Sequence, residues 1–172
     1  NGDHFDAVQK VHDEFPGKHL IFTEGCQENG PHIGSWDLGE RYATSIINDL
    51  NCWTVAWIDW NLILDERGGP NHVGNYCSAP IIVDFRSQDL LYQSSYDYLG
   101  HFSRFIKRGD KIIECENKTD NLLALASIND SGTATTIIMN KNNSQENCTY
   151  MNGKNILPLS IPARSIVTLV NA

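Results

Sequence analysis

Two apolar segments of the sequence each end in side chains that could bind or cleave a sugar. Glu24 follows the run Leu-Ile-Phe-Thr at positions 20–23, and Gly25 after it would let the backbone turn sharply. A second run, residues 52–60, is rich in Trp and Val. Carboxylates can attack or protonate a glycosidic bond, and aromatic rings and amides bind the apolar faces and hydroxyls of a pyranose. The pattern predicts a sugar site made from Glu24, Cys26, Trp57, Asp59, Trp60, Asn61, Asn75 and Tyr76.

Several of these residues also have a second interpretation, which the sequence leaves open. Glu24 could be a surface carboxylate in a turn, and Trp57 could belong to the core, as we expect of Trp53. Cys26 could be a nucleophile, but no histidine stands where it would convincingly activate the thiol. Trp60 is the better ligand-facing aromatic residue, because it ends its strand.

The candidate residues lie in an alternation of predicted helices and strands. Apolar residues recur at three- and four-residue steps between Phe5 and Phe15, which predicts a helix that ends before residues 16–17. A buried strand at 20–23, a helix capped by Ser35 or Asp37, and the strand at 52–60 follow. The apolar stripe of that second helix is Tyr42, Ile46, Ile47 and Leu50. This order is typical of a parallel sheet or barrel, in which ligands bind at the carboxyl ends of the strands.

The rest of the chain is predicted to be an irregular segment, one helix and then strands only. Residues 65–98 contain a turn cluster at 68–71 and a short buried strand at 80–83, and a loop this long is usually functional. A third helix is predicted at 96–107, with Gly109 placed to stop it. The Asn-Asp-Ser-Gly turn at 129–132 should join two strands as a hairpin. Strands are predicted at 111–116, 122–128, 133–139 and 165–170, which favours a β-sandwich and a domain boundary near residues 108–110.

The composition excludes some classes of function. The chain has 172 residues, of which 41% are hydrophobic and 20% charged, values that are ordinary for a globular protein. The net charge of −8 argues against a nucleic-acid partner, which a basic face would have to bind. No apolar run approaches the roughly 20 residues of a transmembrane helix. The chain begins at Asn1 and not at Met, which suggests a fragment or a processed product.

The cysteines and histidines predict no metal or cofactor site. Neither a C-x-x-C pair nor an H-E-x-x-H spacing is present. The number of cysteines, five, is odd, so at least one is free or pairs outside this chain, and Cys115 and Cys148 could form a bridge. Candidate glycosylation sites, each with an N-x-S/T sequence, are Asn117, Asn129, Asn142 and Asn147.

Several blocks of the sequence resemble the C-terminal half of a family 30 glycoside hydrolase. The blocks are FTEGC at 22–26, GSWD at 34–37, SII at 45–47, WIDWNL at 57–62, GGPN at 68–71, PIIVD at 80–84 and LGHFS at 99–103. They come in order, and the resemblance covers nearly the whole chain. It implies an α/β plus all-β fold, in which residues 1–108 form the last two βα units of a (β/α)8 TIM barrel and its long loop. Residues 109–172 would form an antiparallel β-sandwich.

The same resemblance implies roles for the site residues. Family members are retaining β-glycosidases, and Glu24 matches their catalytic nucleophile at the end of the seventh barrel strand. Trp60 matches the aromatic floor of the sugar pocket on strand eight. Asn75 and Tyr76 match loop residues at the pocket mouth, and Cys26 matches a residue of the pocket wall.

A retaining mechanism needs a second carboxyl group, about 5–5.5 Å from the nucleophile. The local choices are Glu28, Asp59 and Glu66, of which Glu28 lies past the turn. We expect Asp59 to hold the strand-end loops by hydrogen bonds. Family members carry the acid/base on the fourth barrel strand, N-terminal to this chain. We therefore expect the acid/base to be absent here and the chain alone to be inactive.

The resemblance also implies a substrate and a setting. The substrate would be a β-glucoside, most concretely the glycolipid glucosylceramide, with a lipid-presenting activator protein as a possible partner. The location would be lysosomal or secreted, with a bacterial cell-envelope or secreted enzyme as the alternative. Residues 27–33 and the Cys77 position differ from glycolipid-cleaving members, so a β-1,6-glucanase is a second hypothesis. A non-catalytic carbohydrate-binding module at 110–172 is a third.

Overall fold

A computed structural model of the chain describes residues 3–153 and 155–171. The chain divides into two compact units, Asn1–Gly100 and His101–Ala172. The division falls inside a helix, so it does not by itself mark the end of a folding domain, and the limits 1–108 and 109–172 stay a prediction. The helices are α1 (Phe5–Glu14), α2 (Asp37–Asn51) and α3 (Ser94–Phe105).

Thirteen strands are found among the described residues. Those of the first unit are β1 (Leu20–Gly25), β2 (Gln27–Glu28), β3 (Thr54–Asp59), β4 (Ile63–Asp65), β5 (Cys77–Ser78), β6 (Ile81–Asp84) and β7 (Asp89–Tyr92). Those of the second unit are β8 (Lys111–Ile113), β9 (Leu122–Ile128), β10 (Ala134–Asn140), β11 (Glu146–Asn152), β12 (Asn155–Ile161) and β13 (Ser165–Asn171). No helix of the described part is long and apolar enough to cross a membrane.

The predicted α-helix, β-strand, α-helix, β-strand order of the first sixty residues is found in the structure. Strands β1 and β3 are parallel, as the alternation predicts. The expectation that β1 is a buried strand is wrong, because Ile21 is 51% exposed. The reason is that β1 pairs with β3 alone in a two-stranded sheet of the described chain.

Helix α2 buries the face that its apolar spacing predicts. Tyr42, Ile46 and Ile47 are buried, and Leu50 is half-buried. The predicted cap, Ser35 or Asp37, is wrong, because the residue that precedes the helix is Trp36 and makes no side-chain capping bond.

A residue from outside α2 supplies a capping bond instead. The hydroxyl of Ser94, the first residue of α3, accepts a hydrogen bond from the Gly39 backbone N–H at 3.0 Å. It can also donate to the Ser35 carbonyl at 2.8 Å. A helix start has backbone N–H groups without partners inside the helix, and Ser94 satisfies one of them.

The segment predicted to be irregular, 65–98, contains a small sheet. Strand β4 pairs parallel with β6, and β6 pairs antiparallel with β7. The buried cluster of this region comprises Leu64, Cys77, Ala79 and Ile82. Only the strand at 80–83 was predicted, from its apolar run. The other strands of this sheet region, of two to four residues, are too short to show a period.

Helix α3 begins and ends two residues earlier than predicted. Gly109 has the left-handed φ of 98° that a C-terminal stop requires, but it lies in the turn after the helix. The predicted stop is therefore in the right region but at the wrong residue.

The second unit is the predicted antiparallel sandwich. One layer is a four-stranded sheet in the order β13-β10-β9-β8, and the other is the hairpin of β11 and β12. Leu122, Ile138 and Ile161 form the buried cluster between the layers. Strands β11 and β12 were missed, because β11 is largely polar and Pro158 in β12 argues against a strand.

Candidate active site

Glu24 lies on β1 next to its carboxyl end, and its side chain is exposed. In the pairing of β1 with β3, Phe22 lies opposite Trp57 and Gly25 lies opposite Asp59. The register between these two pairs is irregular. The Gly25 carbonyl accepts a hydrogen bond from the Trp60 backbone N–H at 2.8 Å. This bond ties the residue after Glu24 to Trp60, so both candidates lie at the same edge of the sheet.

Gly25 is required for packing and not, as predicted, for a sharp turn. It is a strand residue outside the left-handed region. A Cβ atom there would come within 2.6 Å of the Trp57 indole. The indole stacks on Phe22 with centroids 5.2 Å apart, and its Nε1–H donates to Ser45 Oγ at 3.0 Å. Trp57 is half-buried and its ring is held by these contacts, which agrees with the plainer of its two interpretations.

Asp59 is held by a hydrogen bond from α2. The Tyr42 hydroxyl donates to Asp59 Oδ1 at 2.6 Å. Burial raises the pKa of Asp59, and the bond from Tyr42 and the nearby backbone N–H groups of Trp60 and Asn61 oppose that rise. Burial, and then the bond to Asp59, raises the pKa of Tyr42. Asp59 Oδ2 is buried and has no partner among the described residues.

The two remaining tryptophans of this region are exposed. Trp60 is 61% exposed directly after β3, as a ligand-facing aromatic ring would be. Trp53 was expected to be core, and this is wrong, because it is 55% exposed. It lies at a positive φ of 70° and stacks on His12 of α1, with ring centroids 4.1 Å apart.

The loop that carries Asn75 and Tyr76 is held against the segment after Glu24. The Gly30 backbone N–H donates to the Tyr76 carbonyl at 2.7 Å. The Cys26 and Cys77 sulfur atoms are 3.2 Å apart. The side chains of Asn75 and Tyr76 are exposed and do not belong to the core.

Glu28 is engaged in an ion pair. Its carboxylate accepts two hydrogen bonds from Arg41 of α2, at 3.0 and 3.2 Å. The Arg41 guanidinium lowers the pKa of Glu28, so this carboxyl group is held ionised. The other local carboxyl, Glu66, accepts a long bond of 3.4 Å from the Phe85 backbone N–H.

The described residues form no group of three or more metal-binding side chains. All five cysteines are free thiols, so the bridge considered between Cys115 and Cys148 is not formed. The amide nitrogens of two candidate glycosylation sites, Asn117 and Asn142, donate hydrogen bonds within the chain. Asn129 and Asn147 instead accept hydrogen bonds through Oδ1.

Tyr42, Arg41 and Cys77 were given no role in the site from the sequence alone. Tyr42 was placed in an apolar stripe, and its hydroxyl partner is a residue of another element. Arg41 was not singled out, because its partner Glu28 is thirteen positions away. Cys77 was noted only as a departure from relatives. A single sequence contains no signal for such pairings between separate elements.

Comparison with known proteins gives the family. Residues 2–106 match the glycosyl hydrolase family 30 TIM-barrel domain, and residues 111–169 match the family 30 β-sandwich domain. The chain belongs to glycosyl hydrolase family 30. The resemblance and the fold class stated from the sequence are therefore confirmed.

Individual relatives are longer than this chain. It is 36% identical over 145 residues to putative glucosylceramidase 4 of Caenorhabditis elegans, covering 79% of this chain and 27% of that protein. It is 34% identical over 141 residues to lysosomal acid glucosylceramidase of Mus musculus, covering 78% and 27%. The chain thus spans roughly a quarter to a third of the curated relatives that it matches.

Solved structures share the fold of this chain. SrfJ from Salmonella typhimurium has a TM-score of 0.92 at 30% identity, covering 98% of this chain and 38% of that chain. An endo-β1,6-glucanase has a TM-score of 0.79 at 25% identity, covering 97% and 38%.

Proposed function

We propose that this chain supplies the nucleophile side of a retaining β-glycosidase active site. Glu24 would attack the anomeric carbon and form the covalent glycosyl-enzyme intermediate. Trp60 would form the floor of the sugar pocket, with Asn75, Tyr76 and Cys26 at its mouth and wall. Asp59 would act as a positioning residue that holds the end of β3.

The observation that carries this proposal is the hydrogen bond from the Trp60 N–H to the Gly25 carbonyl. It links an exposed carboxylate and an exposed aromatic ring across two parallel strands at their carboxyl ends. In α/β barrels this edge holds the active site. Membership of a glycoside hydrolase family supports the same reaction class.

The acid/base would come from outside this chain. Glu28 is a poor general acid, because Arg41 keeps its carboxylate ionised. Asp59 is engaged with Tyr42, and its remaining oxygen is buried. Neither carboxyl is therefore suited to protonate a leaving group, which agrees with an acid/base on an earlier barrel strand.

The proposed substrate is a β-glucoside, and glucosylceramide is the first candidate. The names of the worm and mouse relatives support this choice. The mouse relative is described as lysosomal, which supports a lysosomal or secreted setting. A lipid-presenting activator protein would then be the partner.

A β-1,6-glucan is the second candidate substrate. The likeness to an endo-β1,6-glucanase covers 97% of this chain and supports it. A panel that compares hydrolysis of glucosylceramide and of β-1,6-glucan by the complete enzyme separates the two. Preference for the glucan would leave the nucleophile assignment intact and change the substrate.

The substitution Glu24→Gln in the complete enzyme tests the proposed function. It removes the nucleophilic charge but keeps the size of the side chain, so turnover of an aryl β-glucoside should fall to the background rate. Glu24 is exposed, so the unfolding midpoint should not change. Glu14→Gln, the same change at an exposed position of α1, is the matched control and should retain full activity. A fully active Glu24→Gln enzyme would rule out the assignment.

A further inference from the structure

We propose that Cys26 and Cys77 form a reversible dithiol–disulfide pair at the rim of the candidate site. Their sulfur atoms lie 3.2 Å apart, although the residues are 51 positions apart in the chain. An S–S bond is about 2.05 Å long, so an approach of about 1.2 Å would form it. The inference concerns thiol chemistry alone and does not depend on the proposed function.

Neighbouring strands keep the two thiols in register. Strand β2 pairs antiparallel with β5, with Gln27 opposite Ser78 and Glu28 opposite Cys77. Cys26 directly precedes β2, so this pairing fixes the backbone on both sides of the contact. Cys77 is 3% exposed in the cluster formed with Leu64, Ala79 and Ile82, and Cys26 packs against that cluster while remaining half-buried. The arrangement leaves Cys26 as the thiol that an oxidant reaches first.

A low-molecular-weight disulfide, such as oxidised glutathione, is the oxidant class that fits. The Cys26 thiolate attacks one of its sulfurs, forms a mixed disulfide and releases one glutathione thiolate. Cys77 then loses its proton and attacks the Cys26 sulfur, which releases the second glutathione. The protein loses two S–H bonds and gains one S–S bond, and one glutathione disulfide is reduced to two thiols.

The surroundings of Cys26 make this reaction slow at neutral pH. Burial raises the pKa of Cys26, and the hydrogen bond and charge of Cys77 and the charges of Glu28 and Asp59 add to the rise. From α2, Tyr42 and Arg41 also interact with the thiol. Because the thiolate is the attacking species, the test belongs in mildly alkaline buffer.

Oxidation would change the hydrogen bonds at the rim of the candidate site. In the reduced chain the Cys77 thiol donates to the Asn75 carbonyl at 3.4 Å, and a disulfide removes this donor. The new bond would also join the segment after Glu24 covalently to the segment after Tyr76. The pair therefore connects the segment that follows Glu24 to the loop that carries Asn75 and Tyr76.

The experiment treats the purified protein with oxidised glutathione, alkylates the remaining thiols and maps the peptides. We expect a loss of two free thiols per chain, a peptide that links Cys26 to Cys77, and full reversal by dithiothreitol. The substitutions Cys26→Ser and Cys77→Ser should each abolish the link, whereas Cys52→Ser should retain it.

A second readout requires no variant. Phenylarsine oxide bridges two neighbouring thiols, so the native reduced protein should bind one equivalent at Cys26 and Cys77. Five free thiols after oxidation, or glutathione adducts without a link, would overturn the proposal. A bridge between Cys115 and Cys148 that leaves Cys26 and Cys77 free would overturn it as well.

Discussion

At the residue scale, the candidate site depends on close contacts that surround Glu24 and not on Glu24 alone. Residue type and position at a strand end were enough to select Glu24, Asp59 and Trp60 from the sequence. The same reasoning misread Gly25 as a turn residue, because the Trp57 indole that crowds it comes from another strand. Local sequence predicts which groups can react, but it does not show which side chains from other elements contact them.

The substitution Gly25→Ala tests this contact. The added methyl group would overlap the Trp57 ring, so either the indole or the end of β1 must shift. We expect the free energy of unfolding to fall by about 1–3 kcal/mol in urea titrations. Gly17→Ala is the matched control, because nothing lies within 4 Å of its Cβ position, and it should change stability little. Equal stabilities of the two variants would refute the packing role of Gly25.

At the element scale, structure set by neighbouring residues was predictable and structure set by distant pairing was not. The β9–β10 hairpin was predicted from its turn, in which Asn129 Oδ1 accepts bonds from the N–H groups of Ser131 and Thr133. The small sheet of β4, β6 and β7 was missed, because its pairing joins short strands up to about eighteen positions apart. Helix α2 shows both outcomes, since its buried face was predicted but its remote capping residue, Ser94, was not.

The substitution Asn129→Ala tests the hairpin turn. It removes the acceptor for the Ser131 and Thr133 N–H groups, and we expect a loss of about 1 kcal/mol in the free energy of unfolding. Asn129→Asp keeps an acceptor oxygen at the same place and should retain most of that stability. Protein from a host without N-glycosylation avoids a sugar effect at this sequon. If the Ala and Asp variants lost the same stability, the turn bonds would not be the cause.

At the scale of the whole molecule, family 30 membership covers both units, but the chain matches only part of each relative's length. The second unit has a partly open cavity of about 670 Å³, in which Tyr150 is the only aromatic residue among those described. The Tyr150 hydroxyl is already bonded to Thr136 and Asn171. This cavity therefore offers fewer groups for stacking on a sugar than the candidate site at β1 and β3, which favours the latter as the carbohydrate site.

The 172-residue chain on its own should not hydrolyse an aryl β-glucoside at the rate of a complete family enzyme. The reason is that Glu24 would have no acid/base partner to protonate the leaving group. Steady-state turnover, measured beside a complete family 30 enzyme under the same conditions, checks this. Comparable rates would mean that an acid/base lies within this chain, and would reopen the roles of Glu28, Asp59 and Glu66.

Covalent trapping of the glycosyl-enzyme intermediate identifies the nucleophile directly. A fluorinated β-glucoside with an activated leaving group would be incubated with the complete enzyme, which would then be digested and mapped by mass spectrometry. We expect one sugar per enzyme, esterified to the carboxylate of Glu24. A label on any other residue would contradict this assignment.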